Sequence, residues 1–209
     1  MDWTTASALA TAGGTLVLAG TTYASVRSAN RAARMAERSL LIGMRPLLIQ
    51  SSPEDPPLRA NFYDGVTVPA PGEGAGIEVI DGRVYIAVSL RNVGPGIAVL
   101  HGGYVFPERR LTSNDHAPLE DFHLLSRDIY IPPGKIGFWQ IAFREDDPRR
   151  DEIRAAVDRG RFSIQVLYGD YEGGQRVISQ FGLVREKDGW ALAVNRHWQI
   201  DRPDPRRDG

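Results

Sequence analysis

The sequence predicts a mainly β protein: an N-terminal transmembrane and juxtamembrane helix, then an antiparallel β-sandwich with one short inserted helix. Three observations lead there. Residues 3–26 contain no charged side chain. Between residues 46 and 200 the apolar pattern has the two-residue period of strands, in about nine short runs separated by Gly, Pro, Asn and Asp. Finally, those runs lack the helical crossovers that a parallel sheet needs, so two packed antiparallel sheets are the natural arrangement.

The first segment reads WTTASALATAGGTLVLAGTTYASV. As a helix rising about 1.5 Å per residue it is long enough for a hydrocarbon layer of roughly 30 Å, so we read it as a single membrane span. An Ala-rich helix packed on the domain or on a partner is the competing reading, and a cleaved signal peptide would need a positive start where the chain has MDW. In the next stretch, RSANRAARMAERSLLIGMRP, Arg27, Arg31, Arg34, Arg38 and Arg45 face one acid, Glu37. Positive flanks stay on the cytoplasmic side, which predicts a single-pass protein of the cell (inner or plasma) membrane with its N-terminus outside and its C-terminal domain in the cytoplasm. Arg27, Arg31, Arg34 and Arg38 recur at i, i+4, i+7 and i+11, one helical face, and are expected to lie on the headgroups of the lipid bilayer. Ala6, Ala10 and Gly14 recur every four positions, the pattern that lets two membrane helices approach closely and form a homo-oligomer. Pro46 stops the helix. The expected organisation is residues 1–45 for the helix, 46–200 for the β-domain and 201–209 for a polar, proline-broken, disordered tail.

Within the domain, PLLIQS is the first strand, and SSPEDPPLR after it is a stiff connection whose Pro53 and Pro56 formally make a PxxP. APGEGAG is a loop. IEVIDGRVYIAVSLRNVG is a hairpin turning at Asp81-Gly82. Strands follow in IAVLHGGYVF, FHLLSRDIYI, KIGFWQIAF, RFSIQVLYGD, RVISQFGLV and WALAVNRHWQI. DDPRRDEIRAAVDRGRF is the inserted helix. Asp147 is its expected N-cap, Pro148 its first residue, Gly160 its stop, and Ile153, Ala156 and Val157 its apolar face.

One stretch looks like a motif. In VSLRNVGPGIAVLHGG, Gly94-Pro95-Gly96 is followed by an apolar strand. A phosphate loop needs a Gly-Lys-Ser/Thr opening a helix, so that backbone N–H groups and the lysine converge on the anion. With no such lysine, Asn92, Gly94, Pro95 and Gly96 are read as a structural turn between two strands.

The NxGxGxA run from Asn92 to Ala98 resembles a segment found in uncharacterised bacterial single-span membrane proteins that carry a C-terminal immunoglobulin-like β-domain. IYIPPGKIGFWQIAF and VLYGDYEGGQR are similar to the PG turn and the YxDxxG hairpin of such domains. The resemblance covers most of residues 46–200. It implies an immunoglobulin-like sandwich and brings no catalytic residue with it.

Composition narrows the chemistry. Lys plus Arg total 25 against 26 Asp plus Glu, so there is no cationic excess for nucleic acid, and none is expected as a partner. Cysteine is absent, which removes disulfides and thiolate chemistry. His116, Glu120 and His123, in HAPLEDFH, are the compact candidate for a metal, because two imidazoles and a carboxylate leave an open coordination position. Their spacing fits no standard metal motif, so no cofactor is expected. His101 and His197 lie in strands and read as packed histidines. No G-x-S-x-G places a serine for attack, and Asp146-Asp147 and Glu120-Asp121 are sequence neighbours with no reason to face across one cleft.

The aromatics Phe138, Trp139, Phe143, Tyr168, Tyr171, Phe181, Trp190 and Trp198 gather in the second half. Most belong in the core, but Phe138 and Trp139 are adjacent, so one of them points outward and is a candidate anchor for a partner. The expected function is a membrane-anchored, non-enzymatic interaction module whose cytoplasmic β-domain binds an unidentified protein partner or itself. The alternative is a metal-dependent enzyme using the His116–His123 cluster.

Overall fold

The computed structural model describes residues 3–111 and 115–204, with side chains from residue 12 onward except 41 and 42. The chain divides into two units, Met1–Gly43 and Met44–Gly209. The first is one helix, α1, Trp3–Gly43. It stops three residues before Pro46, whose ring and missing N–H are incompatible with continuing it. Leu16, Val17 and Leu18 are exposed at 75%, 67% and 67%. Among the described residues no helix is long and apolar enough to cross a membrane. The uncharged segment begins at residue 3, and the side chains of residues 3–11, Ala6 and Ala10 included, lie outside the described set.

The second unit is mainly β. Its strands are β1 Leu48–Gln50, β2 Leu58–Asn61, β3 Thr67–Ala70, β4 Gly74–Ile80, β5 Arg83–Asn92, β6 Ala98–Phe106, β7 His123–Ile131, β8 Ile136–Phe143, β9 Arg161–Gly169, β10 Val177–Glu186 and β11 Gly189–Gln199, with α2, Arg150–Arg159, between β8 and β9. Where the sequence pointed to two separate sheets of an immunoglobulin-like sandwich, nine of these strands form one curled antiparallel sheet, a half-barrel. The link between its halves is short: β4 meets β11 through Ala75 opposite Trp190 and Gly74 opposite Ala191. On one side β5 is the hub, with β8 along one edge and β4 and β1 sharing the other. On the other side the order is β11-β10-β9-β6-β7.

The curl brings the inner faces together. Val84, Ile86, Val88 and Leu90 of β5 and Trp139 and Phe143 of β8 pack with Phe162, Ile164, Val166, Phe181 and Leu183 of β9 and β10. Each strand contributes alternate residues, as strand geometry requires. The Asp81-Gly82 turn forms as expected, with φ of 50° and 79°. The outer face of β5 and β8 is covered by the β2–β3 hairpin, which buries Ala60, Phe62 and Val68 against Tyr85 and Ala87. Helix α2 places Ile153, Ala156 and Val157 in the core and ends at Gly160, φ 74°. Its N-terminus differs from expectation. The cap is Arg149, and Asp147 lies two residues earlier, accepting the Arg149 N–H at 2.8 Å on its carboxylate. Asp201, at the start of the polar tail, is anchored: Arg176 donates its backbone N–H at 2.6 Å and Nη2 at 2.7 Å to the Asp201 carboxylate.

Candidate functional site: an open seam and a glycine clamp

The predicted turn residues act on a different part of the chain from the one they turn. Asn92 is fully buried, and its side chain makes four hydrogen bonds. Nδ2 donates to the carbonyls of Gly96 at 2.7 Å and Ile131 at 2.9 Å, while Oδ1 accepts from the N–H of Gly94 at 3.0 Å and Leu47 at 3.2 Å. That uses the full capacity of an amide. Gly94 and Gly96 give way to the segment that follows α1. A Cβ on Gly96 would lie 1.7 Å from the Met44 carbonyl oxygen, and one on Gly94 would lie 2.4 Å from that of Arg45. The motif is a clamp in which residues 44–47 lie against bare glycine backbone; Pro95 stands exposed between the two glycines.

The metal candidates part company. His116 bonds through Nδ1 to the Ala117 carbonyl at 2.7 Å and sets its ring against Trp198, centroids 5.9 Å apart. His123 packs its ring on Phe143 at 5.6 Å, with Asp147 3.9 Å from Nδ1. Glu120 is exposed in the 3-10 turn Leu119–Asp121. Among the described residues no group of three or more His, Asp or Glu is arranged to hold a metal. Arg27, Arg31, Arg34 and Arg38 are exposed along one face of α1. Of the aromatic pair, Trp139 is fully buried in the main core, and Phe138 faces the other way but is covered by the β2–β3 hairpin.

Two polar networks carry no sequence signal. The buried hydroxyl of Tyr168 accepts the Leu48 N–H at 3.1 Å and bonds Ser179 Oγ at 2.8 Å, which in turn meets His197 Nδ1 at 2.7 Å. Burial pushes the Tyr168 phenol up to about 12. Ser179 is sealed from solvent, so the pair resembles a nucleophile and base only on paper. On the opposite sheet face, Gln165 accepts the Ala117 N–H at 2.9 Å and donates to Gln180 at 3.0 Å, and Gln180 donates to the Arg110 carbonyl at 2.8 Å. Both networks tie loop or strap backbone to the sheet.

The opening in the half-barrel lies between β7 and β8. These consecutive antiparallel strands, joined by a turn at Gly134, would form a hairpin, yet β7 pairs with β6 and β8 with β5, and the two do not pair with each other. They touch near the turn, where the Ile131 side chain covers Gly137, and diverge from there. The divergence has a local cause. Leu100 of β6 stands opposite Ile129, but Gly102 stands opposite Leu124, so residues 125–128 of β7 bulge out against His101 alone. The result is a groove of about 440 Å³, walled by Leu124, Leu125 and Ile129 on one side and Gln140, Ile141 and Ala142 on the other.

The backbone of β8 is open toward this groove. Asn92 N–H bonds to the Lys135 carbonyl at 3.0 Å, and Ser51 N–H to the Ser89 carbonyl at 3.3 Å, which fixes the phase of the β5 ladders. Even-numbered residues of β5 therefore face β8 and odd-numbered ones the opposite edge. By the same alternation Gly137, Trp139 and Ile141 face β5, and the N–H and C=O groups of Phe138, Gln140 and Ala142 face the groove. Gln140 Oε1 is shielded there without a hydrogen-bond partner.

Two arginines, Arg127 and Arg144, line the groove and no acid does. Arg144 is held by Asp64 at 3.2 Å and lies 4.4 Å over the Tyr63 ring. Burial alone would raise the Asp64 carboxyl, but hydrogen bonds from Tyr85 and Arg144 and the Arg144 charge outweigh it and hold it below the usual range. Arg127 is exposed and pairs with no carboxylate among the described residues; its Nη2 reaches the Asn61 carbonyl at 3.5 Å.

No protein-family model matches the chain, and no curated protein matches it. Among solved structures, a crystal structure of a β-glucosidase from Kluyveromyces marxianus is similar at 15% identity over 59% of this chain and 13% of that one, with a TM-score of 0.21. At that score the likeness carries no argument about fold or activity.

Proposed function

We propose that this protein is a membrane-anchored, non-enzymatic interaction module: α1 tethers it to the cell membrane, and its cytoplasmic β-domain takes a protein partner, or a second copy, at the seam between β7 and β8. The observation that carries the proposal is the seam itself. Two consecutive strands turn free edges toward a groove, and Leu124 stands 76% exposed at its mouth. Proteins normally blunt such edges with lysine, proline or a covering loop, because they recruit other chains. On the side of β8, Phe138, Gln140 and Ala142 include neither lysine nor proline, and residues 61–63 line the groove beside them, the Asn61 carbonyl accepting from Gln140 Nε2 at 3.4 Å. The tether draws support from the exposed apolar side chains at Leu16, Val17 and Leu18 and from the four-arginine face that follows them.

Photo-crosslinking in intact membranes tests this reading. A benzophenone amino acid at position 124 forms a defined adduct with one protein, either a partner or a second copy, while the same probe at the exposed Val79 on β4 does not. Equal, diffuse labelling from both positions would refute the seam as an interaction site.

A further inference from the structure

Resting on that reading, we infer that the seam accepts an extended, acidic segment of a partner protein, which adds itself as a strand along the free edge of β8. Three features of the groove specify the ligand. Its β8 wall presents the backbone groups of Phe138, Gln140 and Ala142 at the spacing of an unfilled antiparallel or parallel ladder, so the ligand is an extended backbone. The bulge at residues 125–128 moves β7 away from β8, leaving a space of about 440 Å³, open enough for a peptide and too open for β7 to pair directly. Leu125, Ile129 and Ile141 offer apolar contact for alternate side chains, whereas Arg127, which pairs with no carboxylate among the described residues, lines the same groove beside Arg144 and its partner Asp64. Charge complementarity therefore selects an acidic segment over a basic one. Arg127 is the specificity residue, since Arg144 already has Asp64 as its partner.

The occupant is a partner segment and not β4 of a second copy, whose exposed end carries a single carboxylate, Glu78, between Ile77 and Val79. Gln140 Oε1, shielded and unbonded, would accept a donor from the bound segment.

The test uses the full chain in lipid nanodiscs and three synthetic nonapeptides: one alternating valine with glutamate, one alternating valine with lysine, and the glutamate peptide N-methylated at alternate backbone nitrogens. Binding is read by fluorescence anisotropy and residue-resolved hydrogen exchange. The glutamate peptide binds and slows exchange at Phe138, Gln140 and Ala142, leaving Trp139 and Ile141, already paired with β5, unchanged. The lysine peptide binds at least about tenfold more weakly, a difference that shrinks with added salt. Arg127→Glu reverses the order of the two peptides, and N-methylation abolishes binding. Equal binding of the N-methylated peptide, unchanged exchange along β8, or slowing of the same amides by added unlabelled protein alone would each overturn the inference. If position 124 still crosslinks to a protein in membranes while the peptides fail, the interaction reading survives and strand addition by an acidic segment does not.

Discussion

Replacing Gly96 by alanine would push a methyl group into the backbone of the strap that leaves α1. The new Cβ would sit 1.7 Å from the Met44 carbonyl oxygen and 2.2 Å from its carbon, contacts that no side-chain movement relieves. Residues 44–47 must then lift from the sheet. That breaks the Val93 N–H bond to the Leu47 carbonyl at 2.8 Å and the Leu47 N–H bond to Asn92 at 3.2 Å. Asn92→Ala attacks the same clamp from the other side. It removes four hydrogen bonds and leaves two N–H groups and two carbonyls unpaired at a buried position. At about 1 kcal/mol per bond the loss is about 4 kcal/mol, a large share of the stability of a domain this size. Gly82→Ala is the control. Its φ of 79° makes alanine strained, but nothing lies within 4 Å, so about 1 kcal/mol is expected. Urea unfolding of the full chain followed by tryptophan fluorescence gives the three values, and hydrogen exchange gives the location. Both clamp variants release the amides of Leu47 and Leu48 before the core strands. A cost for Gly96→Ala or Asn92→Ala no greater than that of Gly82→Ala, or unchanged exchange at Leu47, would refute the clamp.

Three further outcomes follow from single contacts. Tyr168 has its phenol raised from about 10 to about 12 in the fold, chiefly by burial. Its contribution is therefore complete below pH 10 and falls away as pH rises toward 12, a loss of about 3 kcal/mol that Tyr168→Phe should not show. A Cβ on Gly103 would meet Trp139 Cζ2 at 2.2 Å, so Gly103→Ala should destabilise by about 2–3 kcal/mol; Trp139→Phe, which removes that atom, should return part of the loss in a double-mutant cycle. Changing Arg27, Arg31, Arg34 and Arg38 together to glutamine should weaken attachment to anionic vesicles by up to about 1 kcal/mol per arginine, with little change on neutral ones.

Much of the fold was legible because local rules and the tertiary arrangement agree. The Asp81-Gly82 turn, the Gly160 stop and the buried face of Ile153, Ala156 and Val157 follow from residue type alone. Sheet closure was not legible. Whether two sheets stay separate depends on pairings such as Trp190 with Ala75, which join residues 115 positions apart and leave no periodic trace. Asn92 and its glycines were recognisable as a motif, but their role was hidden, because a turn and a socket for distant backbone need the same small residues. The seam was invisible for a related reason. Its cause is a register shift opposite His101, and bulge residues such as Ser126 and Arg127 read as an ordinary polar interruption of a strand. His116 and His123, neighbours in sequence and the residues of the alternative metal reading, are carried by the six residues between them and the Leu119–Asp121 turn to Trp198 and Phe143 respectively.

Membrane attachment with a cytoplasmic β-domain is the claim on which the rest depends. It is tested most directly by an alkaline wash of membranes, followed by protease treatment of a C-terminal tag in inverted and right-side-out vesicles. The account predicts that the protein stays with the washed membrane and that the tag is cut in inverted vesicles alone. Cleavage in right-side-out vesicles alone would place the domain on the opposite side, and release by the wash would contradict the tether itself.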